Sequence, residues 1–141
     1  MRAVIDINVL ISAQFWHGAP HALLAHVREG NLTLILSPAM LAEFADVIGR
    51  TKFEAILRRT GRHPTQILAE LIQLADVIDP PALTVPVCRD PDDDKILALA
   101  WATKADFIIS GDQDLLTLGA FRDIKIVNPA EVLAKFAAAP E

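Results

Sequence analysis

The chain has 141 residues, 52% of them hydrophobic, a formal net charge of -5 and one cysteine. This length and apolar content predict a single domain over residues 1–141 and exclude a disordered chain. Cys88 has no partner for an internal disulfide, and the longest apolar run, residues 96–102, is too short to cross a bilayer. We therefore expect a cytoplasmic protein without a membrane anchor. The acidic balance disfavours a nucleic-acid partner unless the negative charge is gathered at a metal site.

Apolar runs that predict strands alternate with segments of helical periodicity along the whole chain. The strand-like runs are short, rich in Val and Ile, and closed by polar or turn-forming residues: 4–5, 32–36, 77–78, 107–110 and 124–127. The helical segments begin at or next to Pro20, Pro38, Pro64, Lys95 and Pro129. This alternation predicts an α/β fold with a mainly parallel sheet.

Of three aromatic residues, one is predicted in the core and two could lie either in the core or at the surface. The segment from Lys95 to Thr103 is apolar on nearly every side, which predicts a buried helix with Trp101 in the core. Phe15 and Trp16 fall in a predicted loop after the first strand. They fit either a core position or an exposed contact surface, and the sequence favours neither.

Four acidic residues fall where strands end or helices begin. Asp6 ends the first strand, and Glu43 lies within two turns of the start of the helix after the second strand. Asp94 opens the helix that leads into the fourth strand, and Asp112 follows that strand directly. In a parallel sheet these positions share the carboxyl edge, where ligands bind in open α/β folds. We therefore expect the four carboxylates to converge, although the strand order that makes them neighbours stays open.

Converging carboxylates predict a metal site. They repel one another and raise some pKa values unless cations compensate, and hard oxygen ligands suit Mg²⁺ or Mn²⁺. Such ions activate water and stabilise the charge that develops at phosphorus, which predicts phosphodiester hydrolysis. Purely structural interpretations stay open beside this one: Asp6 could have no role other than ending a strand, and Glu43 could be an ordinary surface residue. Asp92 and Asp93 are interpreted as helix N-terminal residues favoured by the helix dipole.

Several motifs together resemble the PIN-domain family. They are Asp6-Ile7-Asn8-Val9-Leu10-Ile11-Ser12-Ala13, the helix from Ser37-Pro38 to Glu43, Arg89-Asp90-Pro91-Asp92-Asp93-Asp94-Lys95 with Leu97-Ala98-Leu99-Ala100, and Ile109-Ser110-Gly111-Asp112-Gln113-Asp114-Leu115-Leu116. The match covers nearly the whole chain in the family's order and ends with the element at 128–131. The most similar branch is the single-domain toxins of toxin–antitoxin systems, relatives of the VapC-type ribonucleases.

The resemblance implies a three-layer α/β/α sandwich around a parallel sheet of order 3-2-1-4-5, and metal-dependent cleavage of RNA. By motif match, the implied metal-binding and catalytic residues are Asp6, Glu43, Asp94 and Asp112, with Asn8, Ser110 and Asp114 in support. Asp94 is selected over its acidic neighbours because the family's third acid directly precedes the helix of small apolar residues. The chain departs from the family at Ile7, where Thr or Ser is common.

One segment is basic although the chain as a whole has a negative net charge. Its cationic residues are Arg50, Lys52, Arg58, Arg59, Arg62 and His63, and its only acid is Glu54. A solvated helical face explains most runs of this kind. A surface that contacts RNA phosphates beside the metal site is the functional alternative, and both stay open.

The resemblance also implies partners. Toxin-like members of the family are commonly homodimers held inactive by a small antitoxin protein, which could block the site with an Arg or Lys. The helix that begins at Pro64 has more Leu and Ile than one buried stripe requires, which fits an interface. The alternatives are a housekeeping RNA-processing nuclease, a catalytically silent PIN-like RNA-binding module, and a phosphotransfer protein with Asp6 as acceptor.

Overall fold

A computed structural model describes residues 1–138 of the chain. The strands are β1 (Arg2–Ile5), β2 (Thr33–Leu36), β3 (Ala75–Val77), β4 (Phe107–Ile109), β5 (Ala120–Phe121) and β6 (Ile124–Val127). The helices are α1 (Ile7–Phe15), α2 (Ala19–Arg28), α3 (Pro38–Ile48), α4 (Glu54–Thr60), α5 (Pro64–Leu74), α6 (Pro91–Thr103), α7 (Gln113–Leu118) and α8 (Pro129–Ala138). A short 3-10 helix, Thr51–Phe53, precedes α4.

The strands form one sheet of order β3-β2-β1-β4-β6-β5. The first five in this order are parallel, and β5 pairs antiparallel with β6 at one edge. The predicted order 3-2-1-4-5 is confirmed, because β6 is the fifth strand that the sequence predicts. The central strand β1 lies between β2 and β4, with Val4 opposite both Ile35 and Ile108.

Helices cover both faces of this sheet. Successive side chains of a strand point to opposite faces, and Ala3 and Val4 in β1 are both fully buried. Helix α6 packs against β1, β2 and β4, while α1 contacts α2 and α3, and α3 contacts α5. The predicted three-layer α/β/α fold is therefore confirmed. The carboxyl ends of β1 and β4 lie side by side at its centre.

Several elements differ from the expectation, since β3 spans Ala75–Val77 instead of 77–78 and the sequence predicts neither β5 nor α7. The segment after β1 was predicted as a loop, but it forms α1, in which Ile7, Val9, Leu10, Ile11 and Ala13 are buried. Because these buried positions do not follow one helical stripe, the segment lacks the periodicity that identifies an amphipathic helix. The basic stretch contains the 3-10 helix and α4, which buries Leu57.

The prediction that Trp101 lies in the core is wrong. Helix α6 exposes one side near its C-terminal end, and Trp101 there is 48% exposed. The guanidinium carbon of Arg122 lies 4.2 Å from the centroid of its ring, so a cation covers part of the indole. Within residues 1–138, the helices are all too short or too polar to span a bilayer.

Candidate functional site

An acidic cavity opens where β1 and β4 end, beside α3 and the start of α6. Its volume is about 380 Å³. Six carboxylates line it: Asp6, Glu43, Asp90, Asp92, Asp93 and Asp112. Lys95 supplies a cation in the lining, and Asn8 and Ser37 supply neutral polar groups. This concentration of negative charge in a concave site favours the binding of cations.

Asp6 lies at the junction of β1 and α1. Its backbone N–H donates to the carbonyl oxygen of Ile109 at 2.9 Å, which ties the end of β1 to β4. The Ser110 hydroxyl donates to Asp6 Oδ2 at 2.8 Å. Burial raises the pKa of the Asp6 carboxyl; the Ser110 bond opposes this shift, and the nearby Asp112 carboxylate adds to it. The hydrogen bond from Ser110 therefore favours the ionised form of Asp6 against the effect of burial.

Ser110 connects the two strand ends of the site. It is fully buried, and its oxygen accepts a hydrogen bond from the backbone N–H of Asp112 at 3.0 Å while it donates to Asp6. Asp112 then caps α7, where its Oδ1 accepts from the backbone N–H of Asp114 at 2.7 Å. Ile7, the position at which the sequence resemblance leads us to expect Thr or Ser, is buried in this chain. Ser110 provides a hydroxyl contact to Asp6 from the neighbouring strand.

Glu43 reaches the cavity from α3. Ser37 caps this helix by accepting from the backbone N–H of Met40 at 3.1 Å, so the end of β2 fixes where the helix begins. Glu43 is exposed and lies on the cavity wall. Partial burial raises the pKa of Glu43, and the carboxylates of Asp92 and Asp6 raise it further. The pKa of Glu43 therefore depends on the charge of the other acids in the cavity.

The third acid of the cluster is Asp93. It is only 7% exposed, although it is charged in water at neutral pH. A carboxylate oxygen from each of Asp93, Asp112 and Asp114 lies within 4.8 Å of the other two. Burial raises the pKa of Asp93 to about 6, and Asp112 is the largest contributor among the neighbouring carboxylates. Three acids from two helices thus converge on one small volume.

Asp94, which the motif match selected, faces elsewhere. Its carboxylate accepts hydrogen bonds from the backbone N–H groups of Val87 and Cys88, at 3.2 and 2.8 Å. It lines a different cavity, beneath the proline-rich segment 79–86. The structure therefore does not bring Asp94 to the acidic cluster, and Asp93 takes that position. Adjacent residues of a helix point about 100° apart, so a shift of one residue exchanges the two environments.

A sequence signal for Asp93 exists. Leu97 and Ala100 follow it at helical spacing and are fully buried, which places Asp93 on the core side of α6. Asp90 and Asp92 also line the cavity, and Asp90 caps α6 by accepting from the backbone N–H of Asp92 at 2.9 Å.

The donor set fits a hard divalent cation. All its charged ligating atoms are carboxylate oxygens, which is the chemistry that Mg²⁺ and Mn²⁺ prefer. Burial is the main cause of the raised pKa values of Asp6, Glu43 and Asp93, and neighbouring carboxylates raise each of them further. A bound cation would favour the ionised forms of all three.

The other predicted residues take different positions: Asp114 does not line the acidic cavity, although one of its carboxylate oxygens lies within 4.8 Å of those of Asp93 and Asp112. Asn8 lines it and also a neighbouring cavity of about 410 Å³, which shares Asp112. Asp114 forms an exposed ion pair with Arg89 at 3.5 Å. The predicted RNA-contacting residues Arg50, Lys52, Arg58, Arg59 and Arg62 lie outside the acidic cavity. Arg50, Arg58 and Arg62 line a separate cavity of about 510 Å³.

Comparison with known proteins gives three findings. A family model described as PIN domain matches residues 2–114. The chain is 33% identical over 150 aligned positions to an uncharacterized protein of Methanocaldococcus jannaschii, MJ1680, covering 96% of this chain and 92% of that protein. It is similar in fold, with a TM-score of 0.59 and 16% identity, to a chain in the crystal structure of VapBC2 from Rickettsia felis bound to a DNA fragment from their promoter. That match covers 91% of this chain and 98% of the other.

Proposed function

Because this chain belongs to the PIN-domain family, we propose that it is a metal-dependent endoribonuclease and the toxin of a toxin–antitoxin system. The observation that carries the proposal is the acidic cavity at the carboxyl edge of the sheet. Buried carboxylates with raised pKa values destabilise a metal-free protein, so such a cluster is expected where a cation or catalysis requires it.

Four residues would hold the metal: Asp6, Glu43, Asp93 and Asp112. Asp93 replaces Asp94 in the set that the motif match implies, because Asp94 is engaged by the backbone of Val87 and Cys88. When bound, Mg²⁺ or Mn²⁺ would activate a water molecule and offset the charge that develops on the phosphate.

The chain's own residues orient this site. The bond from Ser110 to Asp6, 2.8 Å long, joins the ends of β1 and β4, and the bond from the Asp112 N–H holds the Ser110 hydroxyl in place. Lys95 lies on the cavity wall 3.4 Å from Asp92, where its ammonium group can meet a phosphate oxygen of the substrate. Asn8 lines both the acidic cavity and the neighbouring cavity that shares Asp112, and we assign it a role in positioning the RNA.

The toxin assignment extends to a partner. The Rickettsia felis relative is a VapBC2 complex on DNA from its promoter, and we propose that this chain likewise pairs with a small antitoxin. An Arg or Lys of that partner would enter the acidic cavity and compete with metal for the same carboxylates. In cells, this predicts that the free chain arrests growth and that co-expression of the antitoxin relieves the arrest. If free chain leaves growth unchanged, a housekeeping RNA-processing nuclease is the better assignment.

Cleavage of RNA by the purified chain tests the enzymatic proposal. We expect cleavage of single-stranded RNA with Mg²⁺ or Mn²⁺, loss of cleavage in excess chelator, and recovery when metal is restored. Asp6→Asn should abolish cleavage while the protein stays folded, because the amide keeps the shape of the side chain but loses its charge. Full activity in Asp6→Asn, or activity that is indifferent to chelator, would contradict the metal mechanism.

A further inference from the structure

A basic cavity lies apart from the acidic one. Its volume is about 510 Å³, and its charged lining consists of Arg50, Arg58, Arg62, His63 and a single acid, Glu54. We use the name basic cavity for this site. It is formed by the C-terminal end of α3, by α4, and by the turn into α5. An excess of guanidinium groups in a concave site favours a phosphate or carboxylate ligand.

Arg62 connects the basic cavity to the end of α1. Its guanidinium donates to the backbone carbonyl and to the side-chain oxygen of Gln14, both at 2.6 Å. These two bonds hold the turn between α4 and α5 against the last turn of α1. Arg58, in contrast, is exposed, and within residues 1–138 it has no carboxylate at salt-bridge distance. Arg58 is therefore available to a ligand that enters the cavity.

An exposed aromatic ring lies next to this corner. Trp16 follows Gln14 by two residues and is 58% exposed. The ring of Phe15 stacks on that of Phe53, with centroids 4.8 Å apart, which attaches the end of α1 to the 3-10 helix. Phe15 also packs edge-on against Trp16 at 5.8 Å, so the indole is held while much of its surface faces solvent. Trp16 thus lies two residues from the contact between Gln14 and the Arg62 guanidinium, and exposed aromatic rings near basic residues are typical of surfaces that bind single-stranded nucleic acid.

Two helices fix the distance from this corner to the acidic cavity. Asp6 directly precedes helix α1, and Gln14 follows it by eight residues, a rise of about 12 Å. Along α3, Gly49 in the basic cavity follows Glu43 by a rise of about 9 Å. A few nucleotides of extended strand could therefore reach from one cavity to the other.

We propose that the basic cavity binds a phosphate of the same single-stranded RNA that is cut in the acidic cavity, and that Trp16 stacks on a nearby base. The inference rests on the proposed ribonuclease function and adds a second binding subsite to it. Arg58 contacts the phosphate directly, and Arg62 acts as a positioning residue that holds the cavity against α1. The substrate class is thus RNA with an unpaired segment long enough to occupy both cavities.

The test measures RNA affinity in the cleavage-deficient Asp6→Asn protein by fluorescence anisotropy with a single-stranded oligoribonucleotide. Arg58→Gln should weaken binding about tenfold, the size expected for one charge-assisted contact. It should also reduce the slope of log affinity against log salt by about 1. Arg59→Gln is the matched control: it removes the same charge from the next residue of α4, which does not line the basic cavity.

Trp16→Ala tests the base contact. We expect a loss of about fivefold or more, because stacking of one base contributes about 1–3 kcal/mol. Trp101→Ala is its control, since Trp101 is also exposed but lies on the surface of α6. Thermal unfolding of each variant should show that the fold is retained.

Equal affinities for the Arg58→Gln and Arg59→Gln proteins, or unchanged affinity after Trp16→Ala, would overturn the inference. The inference would also be overturned if the Arg58→Gln protein no longer bound a co-expressed protein partner but kept its RNA affinity. The basic cavity would then belong to the interface with that partner. These experiments measure the RNA affinity of the Asp6→Asn protein, which does not cleave RNA. A failure of the ribonuclease proposal would instead appear as absent cleavage by the wild-type chain, so the two failures are distinguishable.

Discussion

Two neighbouring aspartates at the start of α6 contact different parts of the molecule. Asp93 is buried among the acids of the cavity, whereas the Asp94 carboxylate holds the backbone of Val87 and Cys88. A bond to an ionised acceptor is stronger than one between neutral groups. Asp94 therefore stabilises the end of the proline-rich segment, while Asp93 opposes folding in the absence of metal.

Replacing Asp94 should reduce stability. Asp94→Asn keeps the size of the side chain but removes the charge that three N–H···O contacts share, and we expect a loss of about 1–3 kcal/mol in the free energy of unfolding. Urea unfolding measures it. Asp92→Asn is the control, since Asp92 is exposed and pairs only at the surface with Lys95. A difference between the two variants of less than a few tenths of a kcal/mol would contradict the assignment.

The stability of the metal-free protein should depend on pH. Burial raises the pKa of Asp93 to about 6, above its ordinary value of 3.8, so the folded state binds more protons than the unfolded state between these values. The free energy of unfolding should consequently fall as pH rises from about 4 to about 6, by about 1–3 kcal/mol. Unfolding by urea in chelator across this range is the measurement. Asp93→Asn should flatten the decrease, and a wild-type stability that rises through this range would contradict the account.

At the scale of elements, each helix start that borders the acidic cavity sets the position of an acid. The α3 cap by Ser37 is buried, and its bond to the Met40 N–H is 3.1 Å long. Ser37→Ala should cost about 1 kcal/mol of stability. It should also weaken metal binding, because Glu43 lies on the first two turns of this helix. Ser37→Thr retains a hydroxyl acceptor and should recover most of both losses. If metal affinity is unchanged in Ser37→Ala, the Ser37 cap does not position Glu43 for metal binding.

The sequence predicts the strands well because their signal is local. The apolar runs at β1, β2 and β4 are buried on both sides, β6 alternates only at the exposed Lys125, and polar residues end each one. It predicts α1 poorly, since that helix buries residues on several sides and resembles a strand in composition. Trp101 is misplaced for a related reason: composition does not reveal which side of an apolar helix lacks a covering layer.

The candidate site is predictable only to within one residue. Topology brings Asp6 and Asp112 to neighbouring strand ends, and Glu43 follows from the helix after β2. The choice between Asp93 and Asp94 depends on the rotation of α6, and a motif match that counts positions along the chain does not fix it. The buried stripe that includes Leu97 shows which side of α6 faces the core, and Asp93 lies on that side.

At the scale of the whole molecule, large apolar side chains are exposed on α5 and at the end of the edge strand β3. Ile72, Val77 and Ile78 are 46%, 39% and 41% exposed. We expect these residues to lie in a homodimer interface, because exposed large apolar residues commonly mark interfaces. Light scattering at high micromolar concentration should give the mass of a dimer, and Ile72→Lys should shift it toward monomer. Val85→Lys, at an apolar residue 67% exposed in the proline-rich segment, is the control. A wild-type monomer at that concentration would rule the homodimer out.

The central claim is that the acidic cavity binds a divalent cation through Asp93 and not through Asp94. Calorimetric titration of Mn²⁺ into the wild-type protein, Asp93→Asn and Asp94→Asn tests it most directly. We predict one set of tight sites in the wild type, an affinity reduced more than about tenfold in Asp93→Asn, and an affinity close to that of the wild type in Asp94→Asn. Retained affinity in Asp93→Asn together with lost affinity in Asp94→Asn, or no Mn²⁺ binding by the wild-type chain, would contradict the account.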